Sequence, residues 1–276
     1  MELTLPVTLA VLAGALLHAA WNTLVKGSAD KELDTYALAA GAGVSALLFV
    51  PFLPLPAPAA WPWLAGSAAV HILYFLFLAA AYRYGDLSYV YPLMRGGGPI
   101  VVAASGVVVF AEALRGSEWL GIMLVCGGVL AFASGAHDRR ATLFALANAL
   151  VIGAYTLIDA EGARLSAAPV SYTLWFFVAN AAVIVAMGAA KRGGAVPDYL
   201  VRHWARAIAG GACSVGSYAI ALWAMTRAPV ALVAVLRETS VIFAAILAAL
   251  VLKEKLTRQR LIATGAVLAG LVLLRL

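Results

Sequence analysis

The chain is poor in charge. Only 12% of its 276 residues are Asp, Glu, Lys or Arg, against about 25% in a soluble globular domain. That deficit excludes an ordinary water-facing surface. Cysteine is scarce as well: Cys126 and Cys213 stand alone, and both fall inside apolar runs. They cannot found a disulfide framework, and no His/Cys cluster has zinc spacing, so they read as small buried packing residues. Catalytic signatures are also missing. There is no His-Glu-x-x-His, no Gly-x-Ser-x-Gly, and no glycine-rich loop that follows a strand and carries the lysine of a phosphate cradle. The reading is therefore not an enzyme, with no cofactor and no metal.

What is present is apolar length. Apolar residues make up 64% of the chain, and they recur in runs of about 20, enough to cross a bilayer as helices. The pattern predicts ten spans: Leu5–Val25, Leu33–Leu53, Pro62–Arg83, Leu87–Phe110, Glu118–Gly135, Ala141–Asp159, Ser171–Ala190, Trp204–Thr226, Pro229–Leu252 and Arg258–Leu274. The first run contains His18, Trp21 and Asn22 and lacks a basic leader, which argues against a signal peptide. Trp61, Trp63, Trp119 and Trp204 at span edges read as interface anchors. The net charge of +6 suits anionic headgroups rather than nucleic acid.

The spans repeat. Arg95 and Arg237 lie at matching depth in the fourth and ninth spans, 142 residues apart. The same offset carries Glu112 onto Glu254, Leu114 onto Leu256 and Gly128 onto Gly270, and Asp86–Phe132 aligns on Ala228–Leu274 without a gap. Each half then holds five helices, with the boundary at His137–Arg140. An odd number inserts the second copy the other way up. The fold expectation is an all-α membrane protein of ten transmembrane helices, built as two inverted five-helix repeats over residues 1–136 and 141–276.

These residues resemble a known family. Glu112–Leu114 followed by Leu120-Gly121 and Gly127-Gly128 is repeated as Glu254–Leu256 followed by Ile262-Ala263 and Ala269-Gly270. With the opening His18-Ala19-Ala20-Trp21-Asn22 and the segment Tyr82–Ser88, the pattern is similar to the EamA-type proteins of the drug/metabolite transporter superfamily. The resemblance implies transport across a bacterial inner membrane, without naming a solute. Orientation is left open. Thirteen loop lysines and arginines lie on one side, against Arg115, Arg164, Arg227 and Arg275 on the other, which places both termini outside. The resemblance implies both inside.

A guanidinium within the hydrocarbon region must find a carboxylate, backbone carbonyls or an anionic ligand. Arg95 and Arg237 are thus either structural ion pairs or anchors for a solute's acid group. Glu238 has no acidic counterpart, since the offset places Gly96 there. It can bind a solute amine, carry a coupling proton or pair with an arginine. The fourth span carries Tyr91, Pro92, Gly96, Gly97, Gly98 and Pro99, which should bend it, whereas the ninth should be straighter. Aromatic and polar groups at helical spacing add candidate cavity lining: His18, Trp21 and Asn22; His71 and Tyr74; Tyr155 with Asp159; Trp175; Tyr218. Asp159 is a second coupling candidate, though as the last residue of its span it falls near the water interface. Glu112 and Glu254 read as structural helix-end acids. The spacings Gly127-Ala131-Gly135 and Ala266-Gly270 suit a close approach of the fifth and tenth helices.

The functional expectation is a secondary transporter, an exporter or exchanger, of a small zwitterionic or anionic metabolite such as an amino acid. It works by alternating access around a central cavity, as a monomer in the lipid bilayer. Proton-coupled efflux of lipophilic cations is the alternative.

Overall fold

A computed structural model describes residues 3–26, 28–251 and 258–275. Glu254 and Leu256, the second copy of the helix-end motif, lie outside them. The helices are α1 (Leu5–Lys26), α2 (Lys31–Phe49), α3 (Trp61–Tyr84), α4 (Leu87–Val109), α5 (Gly116–Leu130), α6 (Arg139–Leu165), α7 (Pro169–Arg192), α8 (Ala195–Arg202), α9 (Trp204–Met225), α10 (Val230–Arg237), α11 (Ser240–Val251) and α12 (Arg258–Leu273). Two short 3-10 turns, Val50–Phe52 and Pro58–Ala60, link α2 to α3. Among the described residues there is no β-strand. Eight helical segments are long and apolar enough to cross a membrane, and α5 and α12 supply two shorter apolar helices.

Local chemistry sets the helix ends. Asp30 caps α2 by accepting the Leu33 amide at 3.0 Å, and Asp138 caps α6 by accepting that of Ala141 at 2.9 Å. Between α7 and α9 the chain forms α8. There Val196 is buried, and Tyr199 reaches the Asp34 carboxylate at 3.3 Å. Beside it, Arg192 binds Asp30 and Glu32, each at 2.9 Å, and Lys191 binds Glu32 at 2.5 Å. Several cations of the basic side are thus already partnered. Arg192 and the Leu33 amide together stabilise the carboxylate of Asp30, and the amide bond is the main cause of its lowered pKa.

The glycines mark where helices touch backbone to backbone. A Cβ at Gly41 would collide with the Ala207 backbone, and one at Gly211 with Gly41 and Ala42, so α2 and α9 cross without side chains between them. The approach of α5 and α12 is of the same kind; Gly270 of α12 lies in it as expected, but α5 presents a different face. A Cβ at Gly121 would lie 2.8 Å from the Gly270 carbonyl, and one at Gly128 2.9 Å from that of Ala263. Gly127 meets nothing within 4 Å, and Gly135 sits at φ 102° in the turn beyond α5. The pair of helices was legible from spacing. The contact face is one residue round, because buried Val125, Val129 and Val267 set the rotation.

The ninth span, expected to be the straighter of the two, is the one that is interrupted. Helix α4 runs unbroken through Pro92 and Pro99. Pro92 cannot donate to the Ser88 carbonyl one turn back, but the Ser134 amide takes that carbonyl at 3.1 Å. The Ser88 hydroxyl returns a bond to the Ser134 carbonyl at 2.8 Å, which closes the clasp. The ninth span instead breaks at Glu238–Thr239. There the Glu238 and Thr239 amides reach only three residues back, to Val235 at 3.0 Å and Leu236 at 3.1 Å. The Thr239 hydroxyl also bonds the Leu236 carbonyl at 2.8 Å, so its side chain competes with the helical ladder.

Candidate functional site

The break between α10 and α11 sits in the protein interior. Every described side chain from Val230 to Leu236 is buried, and Glu238, Thr239 and Ser240 follow them inside. The N-terminus of α10 is fixed by Glu112, whose Oε1 accepts the Val230 amide at 2.6 Å and whose Oε2 accepts that of Ala231 at 3.3 Å. Arg164 stands 3.6 Å from the same carboxylate, donates to the Met225 carbonyl at 3.1 Å, and lies over the Phe110 ring. Glu112 therefore has the structural role expected of it, but its partners are not those nearest in sequence. Arg115 bonds Glu118 instead, at 2.9 Å.

At the other end of α10, Glu238 meets Arg95 from α4. Arg95 Nη2 lies 2.8 Å from Glu238 Oε1, with the side chains 12% and 4% exposed. The two are close but poorly aligned. Arg95 Nε and Nη2 and Glu238 Oε2 are buried without hydrogen-bond partners. Such groups are costly to leave unmatched, by about 1–3 kcal/mol each. The site thus presents donors and an acceptor side by side. Arg237 makes a different contact: its guanidinium lies 5.1 Å above the Tyr218 ring, a cation–π contact.

Several expected residues gather around this pair. Tyr91 and Tyr155 lie within the electrostatic reach of Arg95, Arg237 and Glu238, and Tyr74 within that of Arg95. His18 feels both arginines, its Nε2 is buried without a hydrogen-bond partner, and Trp21 meets its ring edge-on at 5.2 Å. His71 packs on Tyr155 with ring centroids 4.2 Å apart, on Phe176 at 4.7 Å and on Tyr74 at 6.1 Å. Its Nδ1 donates to the Ser67 carbonyl at 2.9 Å. Asn22 is engaged within its own helix, where Nδ2 donates to the His18 carbonyl at 2.8 Å. Trp175 meets Trp61 edge-on, with centroids 5.5 Å apart, and its buried Nε1 has no hydrogen-bond partner.

Asp159 is not at the water interface. It is 0% exposed, because α6 continues six residues past it to Leu165, adding about 9 Å of helix. Its Oδ1 accepts the Tyr172 hydroxyl at 3.0 Å, and its Oδ2 accepts the Tyr218 hydroxyl at 2.5 Å. Ser67 and His71 face the same carboxylate from α3. Tyr172 and Ser67 escaped the sequence reading. Ser67 could have been found, since it stands one turn before His71. Tyr172, at the start of α7, gave no periodic signal.

The EamA-like transporter family matches residues 139–276, half of the chain, starting at the first residue of α6. The chain belongs to this family. It is a membrane-embedded transporter of the drug/metabolite type, which is a transport family and not an enzymatic one. Among solved structures, one crystal structure superposes with a TM-score of 0.74 at 20% identity, covering 98% of this chain and 98% of its own. At that identity the likeness shows a shared fold. No curated protein matches the sequence.

Proposed function

We propose that this EamA-family transporter exports or exchanges a small zwitterionic or anionic metabolite, an amino acid or related amino compound, by alternating access. Its solute site is Arg95, Arg237 and Glu238, lined by His18, Trp21, Tyr74, Tyr91, Tyr155 and Tyr218. The observation that carries this reading is the buried Arg95–Glu238 pair at a helix break, with polar atoms left unfilled. A solute ammonium can take Glu238 while its carboxylate takes an arginine, so opening the pair leaves no bare charge. Broken helices beside a buried site are what transporters use to free polar groups for a solute. Lipophilic cation efflux has less support, because Arg95 already neutralises Glu238.

We further propose that residues 1–136 and 141–276 are two inverted five-helix repeats that cross a bacterial plasma membrane ten times. The helix contacts support this. Exchange of the halves turns the α3–α6 packing into that of α1 on α9, and α4–α6 into α1–α11. The pairs α2–α7, α4–α10 and α5–α12 map onto themselves. The Gly121–Gly270 contact likewise becomes Ala263–Gly128 under the 142-residue offset.

The test is uptake by proteoliposomes offered a radiolabelled amino-acid and organic-acid panel, with preloaded counterflow to detect exchange. Wild type should move at least one member, and Arg237→Ala and Glu238→Gln should abolish that movement. No movement of any member, or full transport by Arg237→Ala, refutes the assignment.

A further inference from the structure

Asp159 is the buried carboxylate that the solute site leaves unused. Both of its oxygens are filled by tyrosine hydroxyls, from Tyr172 on α7 and Tyr218 on α9. Among the described residues no lysine or arginine lies within ion-pairing distance of it. The nearest cation across its hydrogen bonds is Arg237, which rests on the other side of the Tyr218 ring. Tyr218 therefore joins two charges of opposite sign, holding one by its hydroxyl and the other by its face. Other polar groups facing the carboxylate are Ser67 and His71 from α3 and Tyr155 from α6 itself, and Tyr155 in turn lies within the electrostatic reach of Arg95 from α4, of Arg237 at the end of α10 and of Glu238 beside it. No metal-binding group of acids and histidines occurs among the described residues.

From this geometry we infer that Asp159 is a proton-binding site whose occupancy is linked to solute binding through Tyr218 and Arg237. The inference rests on the solute site proposed above. In the empty site the Arg237 charge favours ionised Asp159. A solute carboxylate arriving at Arg237 neutralises that charge, and a carboxylate buried without a nearby cation then gains a proton from water. One proton is bound per solute carboxylate and a carboxylate oxygen becomes a hydroxyl; the net charge of the interior is unchanged for a mono-anion and rises by one for a zwitterion. The 2.5 Å hydrogen bond and the 5.1 Å ring contact keep the two charges within roughly 10 Å of each other, enough at an intermediate dielectric for about a tenfold change in proton affinity. Proton and solute then bind together, so a moving solute carries a proton in the same direction without any group outside this cluster.

The decisive experiment needs no solute. The infrared carboxyl band that disappears in Asp159→Asn is titrated in the purified full-length protein. Arg237→Gln should move its midpoint up by about one pH unit, Arg237→Lys should restore it because the charge is kept, and His71→Gln serves to separate the imidazole's own titration. A midpoint indifferent to Arg237→Gln, or a band that never titrates, overturns the linkage. A second arm uses any amino acid of the panel that raises the melting temperature. Wild type should take up about one proton per solute bound in weakly buffered solution near the midpoint, and Asp159→Asn none. If the arginine variant moves the midpoint but no amino acid binds, the solute assignment fails and the proton site stands. If an amino acid binds and the midpoint stays put, the reverse holds.

Discussion

The Arg95–Glu238 pair should behave as one unit, and a double-mutant cycle measures whether it does. Two unit charges 2.8 Å apart attract by about 6 kcal/mol at an effective dielectric of 20. Burial to 12% and 4% side-chain exposure sets a desolvation penalty of similar size against that attraction, so the intact pair contributes little net stability. Removing one partner is different, because the other charge stays buried alone. Arg95→Met or Glu238→Leu should each destabilise by about 3–5 kcal/mol. The double variant Arg95→Met/Glu238→Leu should lose far less than the sum, a coupling of about 3 kcal/mol or more. The assay is thermal unfolding in one detergent, read by tryptophan fluorescence and by retention of the monomer peak, with transport measured in parallel. The double variant should fold and fail to transport. Additive single losses refute the pairing, and a double variant that transports like wild type refutes the pair's place in the solute site.

Three further outcomes follow from the same coordinates. Glu112→Ala removes the acceptor of two α10 amides and a partner of Arg164, so it should cost about 2–3 kcal/mol in thermal stability, and Glu112→Gln less. Gly121→Ala drives a methyl against the Gly270 carbonyl and should destabilise by about 1–3 kcal/mol, whereas Gly127→Ala, with open space around it, should be neutral or slightly stabilising. Asp30 has a folded pKa below the ordinary carboxylate value, so its contribution is present above the unfolded pKa of about 4 and is lost as pH falls through the folded one. The melting temperatures of wild type and Asp30→Ala should therefore differ at pH 7 and converge in acid.

Much of the fold was written in apolar periodicity, because a membrane span has to hide its backbone over a fixed length. The helix ends were less legible. Asp159 looked terminal because polar residues follow it, and polarity alone cannot tell a span's end from a helix that continues, buried, as far as Leu165. The glycine face of α5 was misplaced by one residue, since two adjacent glycines fit one stripe equally well until valine packing chooses between them. Partners distant in sequence were beyond reach. Glu112 binds amides 118 and 119 residues away, and nothing local says so.

The interrupted ninth span shows which sequence signals depend on context. Proline removes one donor, and that loss is repaired wherever another amide can reach the orphaned carbonyl, as Ser134 reaches Ser88. Proline then leaves a continuous helix. At Thr239 the amide and the hydroxyl both bond the Leu236 carbonyl, three residues back, which tightens the turn and occupies the acceptor that the next amide would use in a regular helix. The break falls beside Glu238, a buried acid whose counterpart in the other half is Gly96. The residues that distinguish the second copy of the repeat from the first, Glu238 and Thr239 in place of Gly96 and Gly97, are therefore also the residues that interrupt its helix. Backbone freedom and the copy-specific charge arise from the same two positions, so a change that straightens this turn should also move the carboxylate away from Arg95.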